Sequence, residues 1–453
     1  MKVKLIEESV LFISLLKWVA LAAGIGVAAG SATALFLHLL AGAAAQAQGI
    51  SFHLFFLPLG LFVSAVIVRY VARDAMGYGT EKVIEAVHKS DGRIRFQVIP
   101  AKLLATIVTI ASGGSAGQVG PCAQIGGGLA SAFARILNMD GNDWKKLVIC
   151  GIGAGFAAVL GAPVAGAVFG VEVLFVGAIL YEVLLPSFIA GIVSYHTASL
   201  LGVRYFHYQA HHLPPFSEVF FLEIVVSGIF FGICAILAIE AMTWSRRLFD
   251  RIPVWSPFRG LIGGGILICL AFLVSPRYLG LGSDLIADAL QGGPLAWHAF
   301  LSKTLFTALT FASGGSGGII APLLVIGATA GSTFGDWSGL GGTTFAAIGL
   351  VSVLAGAANA PIAMSVLAIE LFGRELGAYA AIACVVSFLI TGHRSIFPTQ
   401  IMAMKKSSSV EVDMGKELGH VEPRFQPRDK SLIGIGRRVS EKIAKRRRPD
   451  DPA

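Results

Sequence analysis

Apolar positions fall in long runs along this chain, separated by short polar connections. Leu11 to Leu40, Leu54 to Val71, Glu218 to Ile239, Gly260 to Val274 and Thr343 to Phe372 are long enough, or nearly so, to cross a hydrocarbon core of roughly 30 Å as helices. The predicted fold is therefore all-α and polytopic. Several runs are broken by glycine or proline, residues that weaken a helix. The densest break is ASGGSAGQVGPCAQIGG, Ala111 to Gly127, and Ala312 to Gly327 repeats it as ASGGSGGIIAPLLVIG.

The repetition extends beyond these breaks. SGGSAGQVGP (Ser112 to Pro121) aligns with SGGSGGIIAP (Ser313 to Pro322) at an offset of 201 residues, and GAPVAGAVFGVEVLF (Gly161 to Phe175) aligns with NAPIAMSVLAIELF (Asn359 to Phe372) at 198. Gly, Ser, Pro and Glu held in order at fixed steps mark an internal duplication. It divides a membrane domain at 1–402 into halves of roughly 10–202 and 217–402, leaving a basic tail at 403–453.

Composition agrees: 55% of residues are hydrophobic and 14% charged, with a mean hydropathy of +0.75. No cleavable signal is evident, so the first span itself directs insertion. The 35 basic and 27 acidic residues give +8. Basic residues concentrate in three connections, Arg73 to Lys102, Arg246 to Arg259 and Lys405 to Arg448, while Ala41 to Phe52 carries no charge and Leu201 to Phe216 only Arg204. The positive-inside rule places the basic connections and both termini in the cytoplasm, in a multi-pass protein of the cell (inner) membrane. The second half then runs opposite to the first, the inverted arrangement in which transporters and channels build a midplane site from broken helices. A surface facing anionic lipid accounts for the KIAKRRR tail without nucleic acid. Cys122, Cys150, Cys234, Cys269 and Cys384 lie singly in apolar segments and read as small buried hydrophobes.

Non-helical backbone at membrane depth survives only inside protein or along a watery cavity. A glycine turn leading through Pro121 or Pro322 into a helix offers free N–H groups and the positive end of a helix dipole there, which attract an anion without a full positive charge. Two such termini converging from opposite faces would form a weak, multi-step anion path. Packing kinks are the plainer alternative.

The motifs together resemble the CLC family of chloride channels and chloride/proton exchangers. GYGTEKVIEAV (Gly77 to Val87) stands where the family has its GSGIP-type motif, GQVGPCAQIGG (Gly117 to Gly127) where it has G-R/K-E-G-P, and GIIAP (Gly318 to Pro322) where it has GxFxP. GAPVAGAVFGVEV, NAPIAMSVLAIEL and SIFPTQI (Ser395 to Ile401) follow in the family's order. The resemblance implies a homodimer with one pore per subunit and about eighteen tilted helices of uneven length. It also implies a bound, permeating chloride or similar monovalent anion, with no cofactor or metal. Carried over by position, the anion-binding residues are Tyr78, Gly79, Gly117, Gln118, Val119, Gly120, Gly318, Ile319, Ile320, Ala321 and Phe397.

Departures from the family pattern bear on mechanism. Val119 occupies the gating-glutamate position and Val173 the inner proton-site position, so neither is titratable. Tyr78 replaces the usual Ser, Ile320 the usual Phe and Phe397 the usual Tyr. This predicts a passive chloride channel without proton coupling; the alternative is a secondary anion transporter, a chloride/proton antiporter or a carrier of another anion, coupled through a different residue such as Glu172 or another acid. A non-conducting membrane scaffold has less support, and no nucleophile, metal set or nucleotide loop supports an enzyme. Glu172 and Glu370, repeat mates inside apolar runs, are read as scaffold groups. His207, His211 and His212 are read as a solvated outer loop rather than a zinc site. Asp74, Glu81, Lys82 and Glu85 are read as a solvated face at the cytoplasmic mouth.

Overall fold

The computed structural model describes residues 2–50, 52–205, 217–339, 341–421 and 424–425. Its first half contains α1 (Lys2–Gln48), α2 (Leu57–Tyr70), α3 (Thr80–Lys89), α4 (Val98–Ala111), α5 (Val119–Ile136), α6 (Gly141–Leu160), α7 (Pro163–Glu172) and α8 (Tyr181–Leu200). The second contains α9 (Glu218–Asp250), α10 (Phe258–Leu273), α11 (Ser283–Gln291), α12 (Ala299–Ala312), α13 (Ile320–Ser338), α14 (Gly342–Ala358), α15 (Pro361–Phe372) and α16 (Arg374–Thr391). The two sets correspond in order, α1 with α9 through α8 with α16. The protein is an all-α, multi-pass membrane protein.

Helices long and apolar enough to span are α1, α8, α9 and α16, the first and last of each half among the described residues. Several of those between are too short. α2, α4 and α12 have 14 residues each, or about 21 Å at 1.5 Å per residue, less than a hydrocarbon core. Helices of this length cannot cross the core unaided, and any end that falls at membrane depth must turn its unpaired backbone groups to protein or a cavity. Leu11 and Phe12 on α1, Leu222 on α9 and Phe272 on α10 are exposed apolar side chains of the kind lipid covers.

The run from Thr343 to Phe372, expected as one span, is two helices. Asn359 adopts the left-handed conformation (φ +54°) that ends α14, and Pro361 opens α15 at a position needing no N–H partner. The first half repeats this with Gly161 (φ +71°) between α6 and α7.

Reciprocal hydrogen bonds lock the halves together. Ser115 N–H donates to Thr310 Oγ1 and Ser316 N–H to Thr109 Oγ1, each at 3.1 Å. Glu172 accepts from the N–H groups of Ile362 (3.0 Å) and Ala363 (2.7 Å) at the start of α15. Glu370 accepts from Val164 (2.9 Å) and Ala165 (2.8 Å) at the start of α7. Each carboxylate caps the other half's helix, which gives both glutamates the scaffold role read from their symmetry.

Strand β1 (Phe175–Val176) pairs in parallel with β2 (Ile401–Met402), and β3 (Val410–Glu411) pairs antiparallel with β4 (Arg424–Phe425). Val412 and Leu418 bury beside Val176, Phe388 and Met402, so the chain stays packed on the helices past residue 402. The KIAKRRR stretch and His207, His211 and His212 lie outside the described residues. Cys122, Cys150, Cys234 and Cys384 are buried as expected; Cys269 is exposed on α10, a correction to its reading as buried.

Candidate functional site

The two glycine-rich breaks meet back to back. Gly117 N–H donates to the Gly318 carbonyl at 2.8 Å and Gly318 N–H to the Gly117 carbonyl at 2.7 Å, an isolated antiparallel bridge. α5 and α13 start side by side from this clasp, with Gln118 and Ile319 as their N-cap residues. Neither side chain caps its helix. The first-turn N–H groups around Val119-Gly120 and Ile320-Ala321 lack intrahelical acceptors by the geometry of any helix start, and the positive dipole ends lie with them.

The GYG loop closes against this pair. A Cβ added at Gly120 would run into the Tyr78 carbonyl, and one at Gly79 would lie 2.5 Å from the Gly120 carbonyl oxygen. Gly79 also has φ +82°, which glycine tolerates best, and it begins α3. Val119, Ile319, Ile320 and Phe397 are wholly buried. Phe397 N–H donates to Ser395 Oγ at 2.9 Å, and Thr399 Oγ1 donates to the Glu81 carbonyl at 3.3 Å, which brings the SIFPTQI segment against the first turn of α3.

Two functional candidates were missed in the sequence. Lys102 on α4 and Lys303 on α12 are completely buried. Lys102 Nζ donates to the carbonyls of Gly77 (2.7 Å) and Ala75 (3.3 Å); Lys303 Nζ donates to Gly280 (2.9 Å) and Tyr278 (3.1 Å). Each thus ties down a GxG loop, Gly77-Tyr78-Gly79 in one half and Gly280-Leu281-Gly282 in the other. A signal was present, because the lysines lie 201 residues apart, the offset of the glycine motif.

A cavity of about 450 Å³ opens below the GYG loop, lined by Arg69, Arg73, Tyr78, Glu81, Arg246 and Phe311 among others. It joins two basic connections that are distant in sequence. The Tyr78 ring stands edge-to-face on Phe311 with centroids 4.8 Å apart. The reading of Asp74, Glu81, Lys82 and Glu85 as one solvated face needs correction: Glu81 is 9% exposed, while Lys82 is half-buried and bonds Glu85 at 2.7 Å. The mixed signs of the sequence could not reveal which member turns inward.

Val173 is wholly buried at the end of α7. Its carbonyl accepts from Gln400 Nε2 at 2.7 Å, and Gln400 Oε1 accepts from Asn359 Nδ2 (3.1 Å) and Ser395 Oγ (2.5 Å). Lys406 Nζ reaches Asn359 Oδ1 at 2.6 Å and the Phe388 carbonyl at 2.7 Å. A neutral amide network with one ammonium thus surrounds the inner proton-site position.

Known proteins resemble this chain in sequence and in fold. The family model described as "Voltage gated chloride channel" matches residues 59–392. A chloride/fluoride channel protein of Pseudomonas syringae pv. tomato is 34% identical over 398 residues, covering 86% of this chain and 87% of its own length. A CLC-type fluoride/proton antiporter of known structure superposes with a TM-score of 0.82 at 27% identity, covering 86% of this chain and 99% of that one. A slow cyanobacterial Cl−/H+ antiporter shares the fold, with a TM-score of 0.73 at 18% identity over 83% of this chain and 94% of its own. With the duplicated glycine bridge and a family match across most of its length, this chain belongs to the voltage-gated chloride channel family, the CLC proteins.

Proposed function

We propose that this protein is a secondary transporter of small monovalent halides, chloride and fluoride, whose path passes the Gly117–Gly318 bridge. That bridge is the observation that carries the reading, because it sets two helix starts without side-chain caps at one point. Uncommitted N–H groups and dipole ends there can hold a dehydrated halide weakly enough to release it. Gln118 to Gly120 and Ile319 to Ala321 supply the backbone donors, the Gly117 and Gly318 N–H groups being spent on the bridge, with Tyr78 a phenol donor at the mouth and Phe397 an apolar wall. The arginine-lined cavity is the cytoplasmic vestibule, both termini face the cytoplasm, and two copies form a dimer with one path each.

Proton-coupled exchange is the mode better supported by similarity, since a CLC-type fluoride/proton antiporter superposes over nearly its whole length. Val119 and Val173 favour a second reading, a passive channel, because neither side chain can hold a proton. Exchange would need a titratable group elsewhere.

Purified protein in liposomes, with halide efflux and internal pH recorded together, tests both. Halide moving down its gradient while driving protons uphill supports exchange, and a reversal potential set by halide alone supports the channel. Absence of chloride and fluoride flux refutes the transport reading.

A further inference from the structure

Most carboxylates near the path are already engaged. Glu172 and Glu370 each hold two backbone N–H groups, Asp250 holds Arg259 Nη1 at 2.6 Å, and Glu85 holds Lys82 Nζ at 2.7 Å. Glu81 differs. It lines the vestibule while 9% exposed, and among the described residues no hydrogen bond or ion pair to its carboxylate is found. Its Oε2 lies 3.7 Å from where a Gly77 Cβ would stand, so the carboxylate rests against the GYG loop. Being in the first turn of α3, it occupies the positive end of that helix, which would also draw a halide.

The other half provides an internal control. Aligning Gly77-Tyr78-Gly79 with Gly280-Leu281-Gly282 sets Asp284 opposite Glu81. Asp284 is exposed and pairs with Arg277 Nε at 3.5 Å. The shared scaffold therefore does not require a buried, unpartnered acid at this point.

Resting on the halide path proposed above, we infer that Glu81 is the titratable gate of that path. Charged, it takes the anion's place at the Tyr78–Gly79 loop and excludes halide; on gaining a proton it becomes neutral and releases the position. A proton bound at this carboxylate thus accompanies entry of a halide, a role Val119 cannot fill. The charged and titratable groups around it are Lys82 and Glu85 on α3, Tyr78 on the preceding loop, Lys102 on α4 and Arg246 on α9. Arg69 at the end of α2 and Arg73 just after it line the same cavity. Burial holds the Glu81 carboxyl above the ordinary carboxylate range despite the nearby cations, whereas the Lys82 hydrogen bond holds Glu85 below it. Two acids of one short polar helix are thereby set to opposite tasks.

The test is chloride and fluoride efflux from liposomes with pH equal on both sides, stepped from 4.5 to 8.5. The parent should slow by about five- to tenfold as Glu81 ionises, and Glu81→Gln should run at the fast acid rate throughout. Glu81→Asp keeps the charge on a shorter arm and should titrate with a weaker block. If Glu81→Gln does not survive purification, the Asp variant decides: a profile identical to the parent's overturns the assignment. Halide flux that remains pH-dependent in folded Glu81→Gln also overturns it and leaves the transport reading standing. A parent that passes neither halide at any pH overturns both.

Discussion

Glu172→Gln separates a structural carboxylate from a proton-carrying one. Both oxygens of Glu172 are in use, Oε1 on Ile362 N–H at 3.0 Å and Oε2 on Ala363 N–H at 2.7 Å, in a residue 5% exposed. Glutamine keeps one acceptor and turns an NH₂ toward the other N–H. One charge-assisted bond, roughly 1.5–3 kcal/mol, is lost and an N–H is left unpaired. Glu172→Ala removes both bonds, roughly 3–6 kcal/mol on the same scale. Glu370→Gln makes the same change in a less buried residue, and should cost less, about 0.5–1.5 kcal/mol.

The assay is the half-life of monodisperse protein in detergent at a fixed elevated temperature, because large membrane proteins unfold irreversibly and their working stability is a rate. Each 1.4 kcal/mol lost shortens that half-life by up to about tenfold when the contact is absent from the unfolding transition state. Lifetimes should fall in the order parent, Glu370→Gln, Glu172→Gln, Glu172→Ala. Halide flux and proton movement per folded molecule should be unchanged in both Gln variants. A Glu172→Gln protein as durable as the parent would refute the cap; one that moves fewer protons per halide would make Glu172 the coupling group.

Val119→Glu returns a tethered carboxylate to the start of α5, so halide flux in liposomes should fall severalfold at neutral pH and recover as acid neutralises it; flux equal to the parent's from pH 4 to 8 would take position 119 off the path. Tyr78→Phe removes only a donor worth roughly 0.5–1.5 kcal/mol, so halide affinity should fall about two- to tenfold, while Tyr78→Ala should also raise the maximal rate by opening the mouth. Affinity unchanged in Tyr78→Phe would leave the ring a steric gate. Burial pushes the Lys406 ammonium down to about 7, below an unfolded lysine, so its contribution to stability is present above the ordinary lysine pKa and lost as pH falls through 7. Hydrogen exchange at 401–412, compared between parent and Lys406→Met at each pH, should show the parent gaining relative protection from pH 6 to 9; a constant ratio would refute this.

The sequence disclosed what repeats and what breaks. Apolar runs announced helices, and Gly117, Gly318, Pro163 and Pro361 kept their spacing because each has a backbone task that few residues can perform. The break at Asn359 was harder to see, since an asparagine inside an apolar run carries no period of its own. Lys102 and Lys303 were hidden for a related reason: a lone lysine reads as surface, and only its carbonyl partners reveal a buried clamp. Glu81 reads in the sequence as part of a solvated face beside the GYG loop, whereas it is buried there. In α3 the inward and outward faces alternate within one turn, so its burial depends on what α9 and the SIFPTQI segment bring from elsewhere in the chain.

The duplication also bears on where coupling can reside. Scaffold positions are matched across the halves: Gly117 with Gly318, Lys102 with Lys303, Thr109 with Thr310, Glu172 with Glu370. Positions 119 and 173 are also alike across the halves, for the same offsets set Val119 opposite Ile320 and Val173 opposite Leu371, apolar in both. The halves are nonetheless chemically distinct at some positions. In this chain that difference survives at the GxG loops, where Tyr78 faces an arginine-lined vestibule and its mate is Leu281, and where Glu81 is buried without a partner while Asp284 is exposed and paired. If protons are exchanged for halide, the asymmetry left by Val119 and Val173 assigns the exchange to the vestibule end, so removing the Glu81 carboxyl should uncouple transport without closing the path.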